Sequence, residues 1–521
     1  MPLLHLIYQL RLSLALLGVA LIFLQFAARA SNLDTMGVTL LRASNPTLTG
    51  AGVVVAQAEA PGSSNSSAFE VNYSSVNLPQ ALFEWISSSG TAWSFPNSVG
   101  MESPHADQVA NCFYGPSAGV APGVAHVDNY QGLYFYQSFV VAAVPISDSI
   151  VNQSFSFSLG PPSQQPVDSA YDNYIAETGV VFCSAVNGLG TNVGPPGTAY
   201  NCIGVGAYAS SGAPSDGPTL DNGRCKPDIV APGTAISYTT PYVAGAAAVL
   251  VQAAASASGG ASSTAATDAR TIKALLLNGA LKPFDWTNSG TVPLDYRYGA
   301  GVLNLYYSYQ QLVAGQQEYA GQSIISARSA HPPTAKGPAA GPLTGWDFES
   351  VGSNTNADTV NHYLFDVSSN STLTTTLVWE RPAGMTNIDN LALFLYNATN
   401  GALVSSSVSM VDNVQHIYVP HLTPGAYDLE VVTYARPLPE TYALAFQFFA
   451  MSPPKLSAAF DGNNVVVSWP WSPTVYTLQQ ASSINPAAGW SSVAATEWIT
   501  NTVVCTSVTG SGGPVYFRLV R

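Results

Sequence analysis

Between residues 50 and about 309, short apolar runs that read as strands alternate with stretches of helical pattern. A chain with that alternation can bury its strands only in a mostly parallel sheet with helices on both faces. The strand candidates are residues 53–58, 149–154, 180–183 and 203–206, each a short segment built on Val, Ile or Phe. Helices are expected over 171–178, 241–255 and 268–278. Pro241 suits the first turn of the second, where its missing N–H leaves nothing unpaired.

The pattern then changes twice. Residues 321–343 shift to Ser, Ala, Pro and Gly, with His331-Pro332-Pro333 and Gly341-Pro342, the composition of a linker. Beyond it apolar residues recur with period two, in 363–367, 373–379, 391–396 and 427–432, which predicts a β-sandwich over 344–451. A smaller β module follows over 452–521, with strands at 465–469, 476–480 and 516–520. At 521 residues the chain is too long for one core. The fold class expected is therefore α/β over 31–320, followed by two all-β sandwich modules.

Residues 1–30 have the make-up of a secretory signal peptide: Arg11, an apolar run over 12–26, and Ala28-Arg29-Ala30 as a small-residue cleavage site. A retained membrane anchor is the alternative reading of the same run. No later stretch is apolar for long enough to span a bilayer. The expectation is a secreted or cell-surface monomer, free of the membrane once the signal is removed. Only 9% of residues are charged, the net charge is −14, and no run of Lys or Arg occurs. That balance excludes nucleic acid as a partner. Five cysteines without a C-x-x-C pair give neither a zinc site nor a disulfide scaffold. Cys183 and Cys202, in successive apolar segments, are either one bridge or two buried free thiols.

Ser237 is the residue with the clearest chemistry, a small nucleophile just ahead of Thr239-Thr240-Pro241 and an Ala-rich helix. Nucleophilic serine catalysis needs a hydroxyl, an imidazole to take its proton and a carboxylate to orient that imidazole. Of seven histidines, His5 lies in the leader and four follow the α/β region. His105 and His126 remain. His126 sits in an apolar strand-like run and reads as a core or surface histidine. His105, in Pro104-His105-Ala106-Asp107, falls in the first turn of a helix. Glu59 ends the first strand run, and Asn187 follows the apolar segment 179–187.

These segments resemble the blocks of the subtilisin-like serine peptidases. Residues 235–245 are similar to the family's G-T-S-x-A-x-P-x-V-A-G serine block, and 105–111 to its H-G-T-H-V-A-G block. Residues 48–59 resemble its first catalytic strand, and 184–188 the block that supplies an oxyanion-hole Asn. Gly119-Val120-Ala121-Pro122, the run 217–233 and Ser158-Leu159-Gly160 resemble three further blocks. The order acid, His, Asn, Ser is that of subtilisin. The resemblance implies acyl transfer on protein or peptide substrates, with Ser237 as nucleophile, His105 as base, Glu59 as orienting carboxylate and Asn187 in the oxyanion hole. It implies no cofactor for the chemistry.

The sequence also departs from the family pattern. Glu59 stands where Asp is usual, Ala235 and Ile236 replace Gly and Thr, Gln108 and Asn111 replace His and Gly, and Pro161 replaces a Gly. The loop from Gly233 to Ser237 is shorter than usual, and residues 31–48 are too few for the family's folded propeptide. An alternative reading follows from these changes: a degenerate subtilase fold that binds without hydrolysis. The 344–451 module looks like the pre-peptidase C-terminal or jelly-roll sandwiches that accompany secreted subtilases. Its Asn387, Asp389, Asn390, Asp412 and Asn413 are candidate ligands for a structural calcium. The last module resembles short C-terminal β domains of secreted bacterial proteins, and both modules are candidates for holding a cell surface or polysaccharide.

Overall fold

A computed structural model describes residues 31–520 except 62–66, 187–192, 210–216, 258–262, 318–339, 353–359, 434–438, 452–453, 462–463, 471–475, 485–488, 494–496, 501–502 and 510–513. The leader segment, Asn187 and most of the 321–343 stretch lie outside that set. By contacts, the chain forms two units, Val38–Met451 and a second made of Met1–Gly37 with Ser452–Arg521.

In the first unit the strands are β1 Val54–Glu59, β2 Ala68–Glu70, β3 Phe83–Ser87, β4 Gly90–Ala92, β5 Met101–Glu102, β6 His126–Gln131, β7 Ile150–Gln153, β8 Val181–Ala185, β9 Ile203–Tyr208 and β10 Ile229–Pro232. Eight of them form one sheet in the order β10-β9-β8-β7-β1-β6-β3-β4. Only β4 runs antiparallel to its neighbour. Every residue of β7, β8 and β10 is buried, which is why these strands read as continuous apolar runs rather than alternating ones. Because the central strands are parallel, Glu59, Gln131 and Gln153 end β1, β6 and β7 at the same edge. That edge is where ligands bind in open parallel sheets.

The longer helices are α1 Pro104–Phe113, α2 Gln164–Thr178, α3 Ile236–Ala255, α4 Ala269–Asn278 and α5 Leu305–Ala314. Two begin earlier than the sequence pattern indicates. Helix α2 starts at Gln164 because Pro166 falls within its first turn, where an N–H has no intrahelical partner to lose. Helix α3 starts at Ile236, so Pro241 lies inside the helix and not in its first turn. Pro241 has no N–H for the Ser237 carbonyl. One turn earlier, the hydroxyls of Thr239 and Thr240 donate to the Ile236 carbonyl at 3.0 and 2.8 Å, and Thr239 also donates to the Gly206 carbonyl at 2.9 Å, tying the helix start to β9.

Helix α3 is buried through its middle and passes close to the segment behind α1. A Cβ on Gly245 would lie 2.6 Å from Val120 Cβ, so only glycine lets the backbone approach this far. The Ala121 N–H in turn donates to the Phe113 carbonyl at the end of α1. The block 217–233 acts in the same scaffold: Asp228 accepts from the Gly204 N–H at 2.6 Å and pairs with Lys226 Nζ at 2.6 Å, joining β9 to β10.

The sandwich consists of β11 Thr344–Val351, β12 Val360–Val367, β13 Ser371–Trp379, β14 Leu391–Asn397, β15 Leu403–Ser407, β16 Val414–Leu422, β17 Gly425–Thr433 and β18 Glu440–Ala450. Two antiparallel sheets, β11-β18-β13-β16 and β12-β17-β14-β15, enclose Tyr363, Phe365, Leu377, Trp379, Leu429 and Leu444. Its other face is bound to the α/β layer by buried polar contacts. Thr374 and Thr376 both donate to Asn278 Oδ1, at 2.9 and 3.0 Å. The Arg381 N–H and carbonyl clasp the Asn201 side chain, and the Arg381 guanidinium lies 3.2 Å from the fully buried Asp172 carboxylate. Arg381→Ala would leave that carboxylate without its cation. We expect a loss of about 3 kcal/mol or more in urea unfolding, and an unchanged midpoint would show that the contact does not hold the layers together.

Asp412 and Asn413 are spent on the same interface. Asp412 accepts from the Cys225 N–H at 2.7 Å and from Ser409 Oγ at 2.6 Å, while Asn413 Nδ2 donates to the Tyr200 and Trp379 carbonyls. Cys183 and Cys202 are both buried and unbridged. Burial pushes both thiols up, so they stay protonated.

In the second unit the strands are β19 Ser457–Asp461, β20 Asn464–Pro470, β21 Thr477–Ala481, β22 Ser491–Ser492, β23 Glu497–Thr500, β24 Val503–Thr509 and β25 Tyr516–Val520. They form the sheets β19-β20-β24-β23 and β22-β21-β25.

Candidate active site

Glu59, the last residue of β1, points into the carboxyl edge of the sheet and is 1% exposed. Its Oε2 lies 2.8 Å from His105 Nδ1. His105 is the second residue of α1, whose start is set by Pro104 in the first turn and by Ser103, whose hydroxyl accepts from the Ala106 N–H. The imidazole is 38% exposed. One ring nitrogen is thus held by a buried carboxylate while the other edge of the ring faces outward.

The carboxylate is itself held. Gln57 lies two residues before Glu59, on the same face of β1, and its Nε2 donates to Glu59 Oε1 and to the Ala106 carbonyl, each at 3.0 Å. Tyr114 donates to Gln57 Oε1 at 2.6 Å. Burial and the charge of Glu59 raise the Tyr114 phenol well above its ordinary value, so it remains a donor. The longer Glu arm, where the family pattern has Asp, is therefore pinned at one oxygen and bonded to the imidazole at the other.

Burial pulls the His105 pKa down, but the hydrogen bond and charge of Glu59 outweigh it and leave the value above that of a free histidine. A proton on Nδ1, facing Glu59, leaves the Nε2 lone pair for a hydroxyl.

Ser237 is the second residue of α3 and half-buried. Its neighbour Tyr238 packs on His105, with ring centroids 5.7 Å apart. The starts of α1 and α3 therefore meet at one edge of the sheet. No hydrogen bond joins Ser237 Oγ to His105 among the described residues. Ala235 offers no side-chain cap, and the Ser237 N–H, in the first turn, has no intrahelical acceptor. Such an N–H at the positive end of a helix suits a developing oxyanion. Residues 158–160, the Ser-Leu-Gly strip after β7, are exposed.

His126 is at the far end of the sheet. In register it pairs with Val54 whereas Glu59 pairs with Gln131, a separation of about 16 Å at 3.3 Å per residue. Gln57, Tyr114 and Tyr238 were not singled out from the sequence. The i, i+2 spacing of Gln57 and Glu59 carried a signal for the first, and adjacency to Ser237 for the third. Nothing local marks Tyr114.

Residues 119–301 match the subtilase family (peptidase S8). No curated protein matches the chain. Among solved structures, the chain is similar to the prenylagaramide maturation protease PagA, at 20% identity and a TM-score of 0.38, over 53% of this chain and 98% of that one. It is also similar to tripeptidyl peptidase 2, at 12% identity and a TM-score of 0.28, over 81% of this chain and 56% of that one. A third likeness is to the pre-peptidase C-terminal domain of a collagenase from Bacillus anthracis, at 19% identity and a TM-score of 0.17, over 20% of this chain and 90% of that one.

Proposed function

We propose, starting from the subtilase-family peptidase domain that residues 119–301 mark in this chain, that the protein is a secreted serine endopeptidase with a Glu59–His105–Ser237 triad. The observation that carries this reading is the 2.8 Å bond from the buried Glu59 carboxylate to His105 Nδ1, at the sheet edge where α3 presents Ser237. In the proposed reaction His105 Nε2 takes the Ser237 proton as Oγ bonds the scissile carbonyl carbon. The Ser237 N–H and Asn187 stabilise the oxygen, and the proton passes to the leaving amine as the C–N bond breaks. Water, deprotonated by His105, then hydrolyses the acyl ester and returns the proton to Ser237. The two β modules are proposed to stabilise the peptidase or hold it at a cell surface or polysaccharide.

The test is turnover of an unfolded protein substrate by the purified chain, with Ser237→Ala as the zero. Cleavage by both forms alike, or by neither, contradicts the reading. A pH profile adds to it. His105 must be neutral to act, so the acid limb of kcat/KM is expected to have its midpoint above the ordinary histidine value of about 6.5. A limb centred below that value would show that Glu59 does not bias the base.

A second reading, a degenerate fold that binds peptide without hydrolysis, rests on one observation: Tyr238 packs on His105 while Ser237 Oγ makes no bond to it. Peptide binding with no turnover favours it.

A further inference from the structure

At the amino edge of the sheet, opposite the catalytic edge, β3 and β6 gather a second constellation. His126 and Asp128 are two apart on β6 and so share a face, and Glu84 on β3 pairs in register with Asp128. One ligand atom from each of Glu84, His126 and Asp128 lies within 4.8 Å of the others. Asp148, two residues before β7 and 2% exposed, lies against the Asp128 carboxyl, close enough for the two to share a proton, and no other side chain donates to it.

Two details separate this group from an ordinary ion pair. His126 Nε2 is 3.0 Å from Asp128 Oδ1, yet Oδ1 receives no hydrogen bond, so the two atoms are close without pointing at each other. Neighbouring ligands directed at a common third centre have this geometry: two atoms each about 2.0–2.1 Å from a tetrahedral ion lie roughly 3.3 Å apart. The second distance, from His126 Nε2 to Glu84 Oε2, is 3.9 Å. Moreover, three carboxylates gathered this closely, one of them buried, repel one another unless a cation or a proton stands between them.

We propose that Glu84, His126 and Asp128, with Asp148 behind them, bind a divalent zinc-class cation that clasps the amino ends of β3, β6 and β7. One imidazole nitrogen among carboxylate oxygens suits Zn²⁺ better than Ca²⁺, which prefers oxygen alone. Trp93 stacks on His126 with centroids 5.5 Å apart and an angle of 28°, which fixes the ring. The side chains of Glu84, His126 and Asp128 are 20%, 23% and 11% exposed, so an ion can enter from solvent.

The experiment is metal content and calorimetric titration of the full chain after chelator treatment, using Zn²⁺, Mn²⁺ and Ca²⁺ separately. One equivalent of Zn²⁺ is expected, bound at least tenfold more weakly by His126→Gln and Asp128→Asn. His362→Gln in the sandwich and His105→Gln at the catalytic edge should bind as the parent does. Asp148→Asn removes a buried charge, so it should keep the parent circular dichroism, and weaker Zn²⁺ binding by that folded variant supports the site even if the other two misfold. No saturable Zn²⁺ binding, Zn²⁺ binding unchanged by the His126, Asp128 and Asp148 variants, or binding of Ca²⁺ alone overturns it. The outcome is independent of whether Ser237 is a nucleophile.

Discussion

Ser237→Ala should lower kcat on a protein substrate by about 10⁶-fold while leaving the fold intact. The magnitude follows from how serine triads behave: removing the nucleophile costs about as much as removing the triad, and what remains comes from binding and the oxyanion hole. The fold should survive because Ser237 is half-buried and its hydroxyl makes no hydrogen bond among the described residues. His105→Ala should cost a similar factor, and the double variant little more, because the two act as a unit. Additive losses would mean that Ser237 and His105 do not share a proton.

Glu59→Gln is expected to cost about 10³–10⁴-fold in kcat. The side chain keeps its length, but an amide no longer stabilises the imidazolium and can present N–H to Nδ1, selecting the wrong tautomer. The same change removes the charge that raises His105, so the acid limb should move to lower pH as the rate falls. Those two shifts together distinguish an orienting carboxylate from a merely structural one. Glu59→Asp is the informative companion. It restores the residue usual in the family pattern, yet here the Gln57 and Tyr114 bonds are built around the longer arm. Retraction of order 1 Å should therefore slow turnover by about a hundredfold. Full activity in Glu59→Asp would show that the Gln57 brace is not matched to Glu.

The sheet was legible because its strands are short, apolar and regularly spaced. The runs at 53–58, 149–154, 180–183 and 203–206 all appear as parallel strands. Helix starts were less legible. Pro241, expected in a first turn, lies inside α3, its position supported by threonine hydroxyls that no propensity rule anticipates. The pairing of Glu59 with His105 was suggested by block order and is made by a contact across 46 residues of chain. Tyr114, closing the same network from the far end of α1, could not be read, since its role depends on how α1 crosses β1. The docking of the sandwich was equally hidden. Asp412 and Asn413 have the composition of a cation site, and only the packing against Cys225 and Tyr200 shows that their polar groups are used at an interface.

The most direct measurement is covalent labelling of the purified protein by a phosphonofluoridate, located by peptide mass spectrometry. Modification confined to Ser237, abolished by His105→Ala and slowed by Glu59→Gln, is the expected result. An unmodified Ser237 in a protein whose circular dichroism shows it folded, or labelling indifferent to His105, would contradict the triad.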